Sequence, residues 1–169
     1  MERTARELIL GMIRRQAPTG VSVVIEGAPG VGKTFLAGEI LASIPPGQAK
    51  VLRAAGQQGR RNDPFTVASQ LLGDLARDTD PADATFDYVD ELCADGPVVL
   101  CADDAHHLDA ASLMLLRRLV WASRSLPLAV LVTTWPGPPR EPLAMLIRQA
   151  QARLWLPPRS GSPRWSAKG

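Results

Sequence analysis

Residues 27–34 read Gly27-Ala28-Pro29-Gly30-Val31-Gly32-Lys33-Thr34, which satisfies the spacing G-x-x-x-x-G-K-[ST]. Those residue types suit the phosphates of a nucleotide. Glycines let the backbone curl so that successive N–H groups converge on phosphate oxygens. A helix opening at the end of the loop adds the positive end of its dipole. Lys33 would reach the β- and γ-phosphates as an exposed ligand with no part in the core, and the Thr34 hydroxyl would ligate Mg²⁺. The competing reading, a glycine-rich turn with an incidental lysine, is weakened by context. An apolar, β-branched run precedes the loop and a helical pattern follows it.

A second constellation lies seventy residues on, where Val98-Val-Leu-Cys-Ala-Asp103-Asp104 is an apolar run ending in two carboxylates, the form of a Walker B motif. Asp103 would hold Mg²⁺ through water, and Asp104 would orient and deprotonate an attacking water. A helix-capping acid and its neighbour would look similar. Thr133 and Thr134 end another apolar run, where a polar side chain could sense a γ-phosphate or the attacking water. Thr134 therefore joins Asp104 as a candidate catalytic residue, against the plainer role of a strand-terminal threonine bonding to backbone. His106 and His107 with Asp109 invite a metal reading, but neighbouring histidines on a turn diverge and no further Cys or His completes four ligands, so zinc is not expected. Arg117, Arg118, Arg124 and Arg140 read as solvated helix and loop arginines rather than as charges for a neighbour's nucleotide.

These groups need a scaffold that delivers them to one edge. Val21–Ile25 suits a strand buried on both faces, and it runs straight into the glycine-rich loop. Behind the loop, Leu36, Ile40 and Leu41 face inward on a helix that Pro45-Pro46-Gly47 ends. Ahead of the strand, Ala5, Leu8, Ile9, Met12 and Ile13 recur at helical spacing, with Thr4 and Glu7 as a candidate capping box. Lys50–Ala55 reads as a second strand and Gly56–Asn62 as a polar loop. Asp63-Pro64 and Asp80-Pro81 each set an N-cap residue before a proline, which predicts two helix starts. The first helix would bury Phe65, Ala68, Leu71, Leu72 and Leu75, and the second Phe86, Val89 and Leu92. Gly96-Pro97 breaks the pattern before a third strand, Val98–Ala102. Asp109 can cap a helix with Leu113, Leu116 and Val120 inward. Leu128–Val132 is a fourth strand, Pro142 opens a helix using Leu143, Leu146 and Ile147, and Leu154–Leu156 is a fifth strand. Strands alternating with helices argue for a parallel, doubly wound α/β sheet.

The whole chain is consistent with that scaffold. At 169 residues it fits one ordinary domain, and 46% apolar with 21% charged residues describes a folded chain. Nineteen basic against seventeen acidic side chains give +2, so direct nucleic-acid binding is not expected. Residues 151–169 hold four of the basic residues and no acid, and residues 158–169 read as a basic, disordered tail beyond a core of residues 1–157. Eight of the seventeen acids lie between Asp74 and Asp95 around a lone Arg77; a solvated outer face is the plain reading, an acidic docking surface the alternative. Cys93 and Cys101 are too few for a disulfide framework and read as buried thiols in a reducing compartment. No apolar run approaches the ~20 residues of a membrane span, and the N-terminus lacks the pattern of a signal peptide. A cytoplasmic protein is expected.

Taken in order, GAPGVGKT, the Asp63-Pro64-Phe65 helix start, PVVLCADDAHHLDAAS (residues 97–112) and AVLVTT (129–134) resemble the AAA ATPase domain called Orc1-like, which also drives the LuxR-type signal-transduction ATPases. The resemblance covers residues 5–157. It implies the P-loop NTPase (ASCE/RecA-like) fold, a three-layer sandwich with helices on both faces of a five-stranded parallel sheet in the order 5-1-4-3-2. It implies ATP and Mg²⁺ as ligands, with Gly27, Ala28, Pro29, Gly30, Val31, Gly32, Lys33 and Thr34 around the nucleotide. Asp103 would be the second metal contact and Asp104 the base. His107 stands where the family often has an aromatic, and Trp135 where many relatives have an arginine. No segment matches the family's helical lid or its DNA-binding helix-turn-helix. The expectation is a regulatory ATPase core with slow hydrolysis, whose lid or arginine comes from a protein partner or from self-association. The alternatives are a module that holds nucleotide without turnover, or a fragment of a split regulator. A GTPase is disfavoured because the guanine-reading N-K-x-D pattern does not occur.

Overall fold

A computed structural model describes residues 2–73 and 80–158. In chain order the elements are α1 (Glu2–Arg14), β1 (Val21–Gly27), α2 (Lys33–Ala42), β2 (Lys50–Ala55), α3 (Thr66–Leu72), α4 (Pro81–Asp95), β3 (Val98–Asp103), α5 (Ala110–Ala122), β4 (Leu128–Thr134), α6 (Glu141–Gln149) and β5 (Ala152–Leu156). A 3-10 turn, Ala105–His107, joins β3 to α5. All five strands are parallel, in the order β2-β3-β4-β1-β5, which is the 5-1-4-3-2 order the family resemblance implies.

Burial along the strands follows their place in the sheet. Every residue of β4 is buried, and β3 is buried up to its terminal Asp103, because helices cover both faces of a central parallel strand. The edge strands β2 and β5 alternate between buried and more exposed positions instead. Successive side chains of β4 feed two separate cores. Ala129 and Leu131 pack with Ile9, Met12 and Ile40 of α1 and α2. Val130 and Val132 pack with Leu116 of α5 and Leu146 of α6 on the opposite face.

Two helix starts differ from the sequence reading and one agrees with it. α1 opens at Glu2, so Thr4 lies inside the helix rather than at its cap. α4 begins where Asp80-Pro81 predicts, with the Asp80 carboxylate accepting from the backbone N–H groups of Ala82 and Asp83. The same dipeptide at Asp63-Pro64 does not cap α3. The Asp63 carboxylate turns outward to Arg60 at 2.7 Å, Phe65 takes left-handed backbone with φ 59°, and α3 opens at Thr66. Its cap comes from elsewhere in the chain. Asp109 accepts from the N–H groups of Phe65 and Thr66 at 2.9 and 3.1 Å, while also capping its own helix through Ser112. Leu75 and residues 159–169 lie outside the described residues.

Candidate functional site

The parallel register brings the C-terminal ends of β1, β3 and β4 together, so the loop after β1, the acids after β3 and the threonines of β4 share one edge. The glycine-rich loop curls through left-handed backbone at Gly30 (φ 78°) and Gly32 (φ 103°), conformations that glycine adopts without steric cost. Lys33 then opens α2 and sends its Nζ back over the loop, donating to the carbonyls of Gly27 (2.8 Å) and Ala28 (3.0 Å). The side chain is not the exposed ligand expected from sequence. Lys33 is 5% exposed and is part of the loop's own packing. Burial lowers its pKa, an effect the nearby carboxylates of Asp104 and Asp103 oppose.

Thr34 and Asp103 meet directly, the threonine Oγ1 donating to Asp103 Oδ2 at 2.7 Å across 69 residues of sequence. The other Asp103 oxygen accepts from the Thr133 hydroxyl, which in turn accepts from the Asp104 backbone N–H at 2.9 Å. Thr133 is therefore the β4 residue tied into the acidic pair. Thr134 next to it is fully buried, and its hydroxyl has no hydrogen-bond partner among the described residues. A hydroxyl and a carboxylate side by side at a phosphate-binding loop are hard oxygen donors, the set Mg²⁺ takes alongside water and phosphate oxygens. The residues present fit that ion.

Asp104 holds left-handed backbone, with φ and ψ both 50°, and so departs from the line of the strand. That turn separates its side chain from Asp103. Burial and the neighbouring Asp103 raise the Asp104 pKa, with Lys33 and His107 acting the other way. The turn is braced by Gly56, whose N–H donates to the Asp103 carbonyl at 2.9 Å. A Cβ at Gly56 would lie 2.3 Å from the Asp104 carbonyl oxygen, so only glycine allows this approach.

The two histidines turn to an aromatic neighbour. His106 is 6% exposed and stacks on Trp135, ring centroids 4.2 Å apart, while His107 meets the same indole edge-on at 5.5 Å. The His106 Nδ1 accepts from the Trp135 backbone N–H, and burial, with His107, pushes its pKa down to about 4, so the ring is neutral near pH 7. Sequence reading missed this stack, because it forms between the turn after β3 and the residue after β4. Pro29, Lys33, Thr34, Asp104, His107 and Trp135 line a cavity of about 370 Å³ over the loop.

None of the four arginines considered from sequence lines that cavity. Arg118 pairs with Asp83 at 2.6 Å, the Arg124 guanidinium lies over Trp121, and Arg140 donates to the Leu108 carbonyl rather than standing free in solvent.

Comparison with known proteins bears on the family and the fold. Residues 3–132 match the family model described as AAA ATPase domain. No curated protein sequence matches the chain. Among solved structures, a variant of Thermotoga maritima RuvB aligns over 92% of this chain and 43% of its own, with 19% identity and a TM-score of 0.55. C. elegans PCH-2 aligns over 94% of this chain and 43% of its own, with 15% identity and a TM-score of 0.58. At those identities the likeness is one of fold, and the chain spans less than half the length of either protein.

Proposed function

The chain belongs to the AAA ATPase domain family, and from that premise we propose that it binds ATP with Mg²⁺ and hydrolyses it slowly as a regulatory switch. The observation that carries the reading is the meeting of Thr34 with Asp103 beside Lys33. Residues from β1, α2 and β3 converge there on a set of groups matched to a metal-bound triphosphate.

In this reading the Lys33 ammonium exchanges the Gly27 and Ala28 carbonyls for phosphate oxygens, and the loop N–H groups and the start of α2 hold the chain of phosphates. Thr34 and Asp103 hold Mg²⁺, which when bound neutralises charge on the transferring phosphoryl group. Asp104 accepts the proton of the attacking water. Its raised pKa moves it toward the range where a general base is effective. Slow turnover is supported by the cavity lining, which includes no arginine among the described residues. A missing arginine finger is worth roughly 10³–10⁵ in rate. The regulatory role rests on the resemblance to the LuxR-type ATPases, and a cytoplasmic location on Cys93 and Cys101, both free and buried as thiols of a reducing compartment would be. A partner or neighbouring copy that supplies the arginine belongs to the same proposal.

Calorimetry of Mg-ATP binding to the chain and to Lys33→Ala tests the core of this reading. Because Lys33 also braces the loop, the variant's fold must be followed by circular dichroism. Binding should weaken more than tenfold in a folded variant. Equal affinity would remove the phosphate role from Lys33.

A further inference from the structure

The α5 helix presents an outer stripe that the ATPase reading does not use. Met114 and Trp121, two turns apart, are 51% and 61% exposed, while Leu113, Leu116 and Val120 on the opposite side of the helix are buried. Arg117 and Arg124 accompany them, the Arg124 guanidinium 4.4 Å above the Trp121 ring. Neither arginine pairs with a carboxylate among the described residues, and the Arg117 Nε is buried with no acceptor there. Large exposed Trp and Met side chains flanked by arginine are the residue types enriched at protein interfaces.

The neighbouring helix carries the complementary chemistry. On α4 the outward positions include Asp87, Asp90 and Glu91, all exposed. The seam between the helices is closed by Arg118, which pairs with Asp83 and lies 4.1 Å over the Phe86 ring. Thus α4 offers carboxylates and α5 offers cations and an indole, side by side on one face. Both helices precede a strand of the same parallel sheet, so they run in the same direction. The rows also match in length. Asp83 to Glu91 spans about 12 Å and Met114 to Trp121 about 10 Å along their helices.

A face with opposite charges on two parallel neighbouring helices is complementary to itself. Rotation about a two-fold axis along the seam lays each α4 on the α5 of the other copy, and satisfies both contacts at once. We propose that the α4–α5 face is a docking surface for a second copy of this chain, with Trp121 as its anchor and Arg117 and Arg124 set against the partner copy's α4 carboxylates. The proposal does not depend on nucleotide binding.

Sedimentation equilibrium of the 169-residue chain at low salt tests it. A monomer–dimer equilibrium is expected that weakens as salt rises. Trp121→Ser should weaken the dimer about tenfold or more, as an anchor does. The decisive experiment uses charge exchange. The double variants Arg117→Glu/Arg124→Glu and Asp87→Lys/Asp90→Lys should each be monomeric, because both half-contacts then repel. Mixed together, they should form a one-to-one heterodimer, since each reversed row then faces its opposite. Asp87, Asp90, Trp121 and Arg124 are exposed and Arg117 is half-buried, so circular dichroism must confirm that each variant folds. A chain that stays monomeric, a dimer indifferent to these changes, or a mixture that does not associate would each overturn the proposal. In the first case the face would be left to a different acidic partner.

Discussion

Asp103 and Asp109 lie six residues apart, and both accept hydrogen bonds from hydroxyls, yet only one is available for chemistry. Asp109 is 2% exposed and saturated. It takes the N–H groups of Phe65, Thr66 and Ser112 and the Ser112 hydroxyl. Three of those four donors are backbone amides, which can donate but never accept or ligate a cation. Asp103 is held by the Thr34 and Thr133 hydroxyls. A hydroxyl is also an acceptor, so Thr34 can turn its lone pairs to a metal while Asp103 keeps its charge for the same ion. The carboxylate used for structure is enclosed by fixed donors, whereas the one proposed for a metal is held by donors that can change role.

The contrast predicts that substitutions at the open corner change chemistry and spare stability, and that the enclosed knot does the reverse. The largest effect should come from Asp104→Asn. Asparagine tolerates the left-handed backbone found there. Phosphate release should fall by roughly 10²–10⁴ with ATP affinity retained. Parallel loss of affinity and rate would make Asp103 and Asp104 one metal site without a separate base.

Next in size is Asp109→Ala, which removes the caps of two helices and leaves buried N–H groups unpaired. A loss of about 2–4 kcal/mol is expected from the urea midpoint at constant slope. Affinity for Mg-ATP should be unchanged in the protein that remains folded. The pH dependence sharpens the point. Burial acts to raise the Asp109 pKa, but hydrogen bonds from Ser112 and Thr66 outweigh it and hold the pKa below the ordinary value. A depressed folded-state pKa gives stability that is present above the unfolded value, near 3.9, and is lost as pH falls through the folded one. The difference in stability between the chain and Asp109→Asn should therefore shrink below about pH 4. A difference independent of pH would mean that the charge of Asp109 contributes nothing.

A smaller effect is expected at the metal corner. Asp103→Ala should lower Mg²⁺-dependent affinity about tenfold, or ~1.4 kcal/mol, with little change in ATP binding measured in EDTA. The smallest effects separate the two Asp-Pro starts. Asp80→Ala should cost about 1 kcal/mol as a lost N-cap, while Asp63→Ala, exposed and paired only with Arg60, should stay within about 0.5 kcal/mol. Equal losses in thermal unfolding would restore Asp63 as a cap.

Much of the fold was legible in advance because its signals are local. Val98–Ala102 and Leu128–Val132 are unbroken apolar runs, and a central parallel strand requires that of its residues. Asp80 caps α4 through amides two and three residues away, so the dipeptide is enough to place it. Asp63 misleads because its helix has a stronger cap 44 residues downstream in Asp109, and no local pattern records that competitor. Gly56 was visible only as part of a polar loop, although it is the residue that lets the loop press on the acidic turn. The stack of His106 on Trp135 was hidden for the same reason, its partners being 29 residues apart.

The sequence by itself determined which residues could hold a phosphate and a metal, because backbone curl, ammonium, hydroxyl and carboxylate are properties of residue type and short spacing. It also determined the alternation of strand and helix, which hydrophobic periodicity encodes. Only the tertiary structure decided which of the two β4 threonines meets Asp103, that Lys33 is folded into its own loop, and that Asp109 serves two helices at once. These depend on strand register and on competition for donors across the chain. A hydrogen bond between residues 69 positions apart exists only after the sheet has brought its strands side by side.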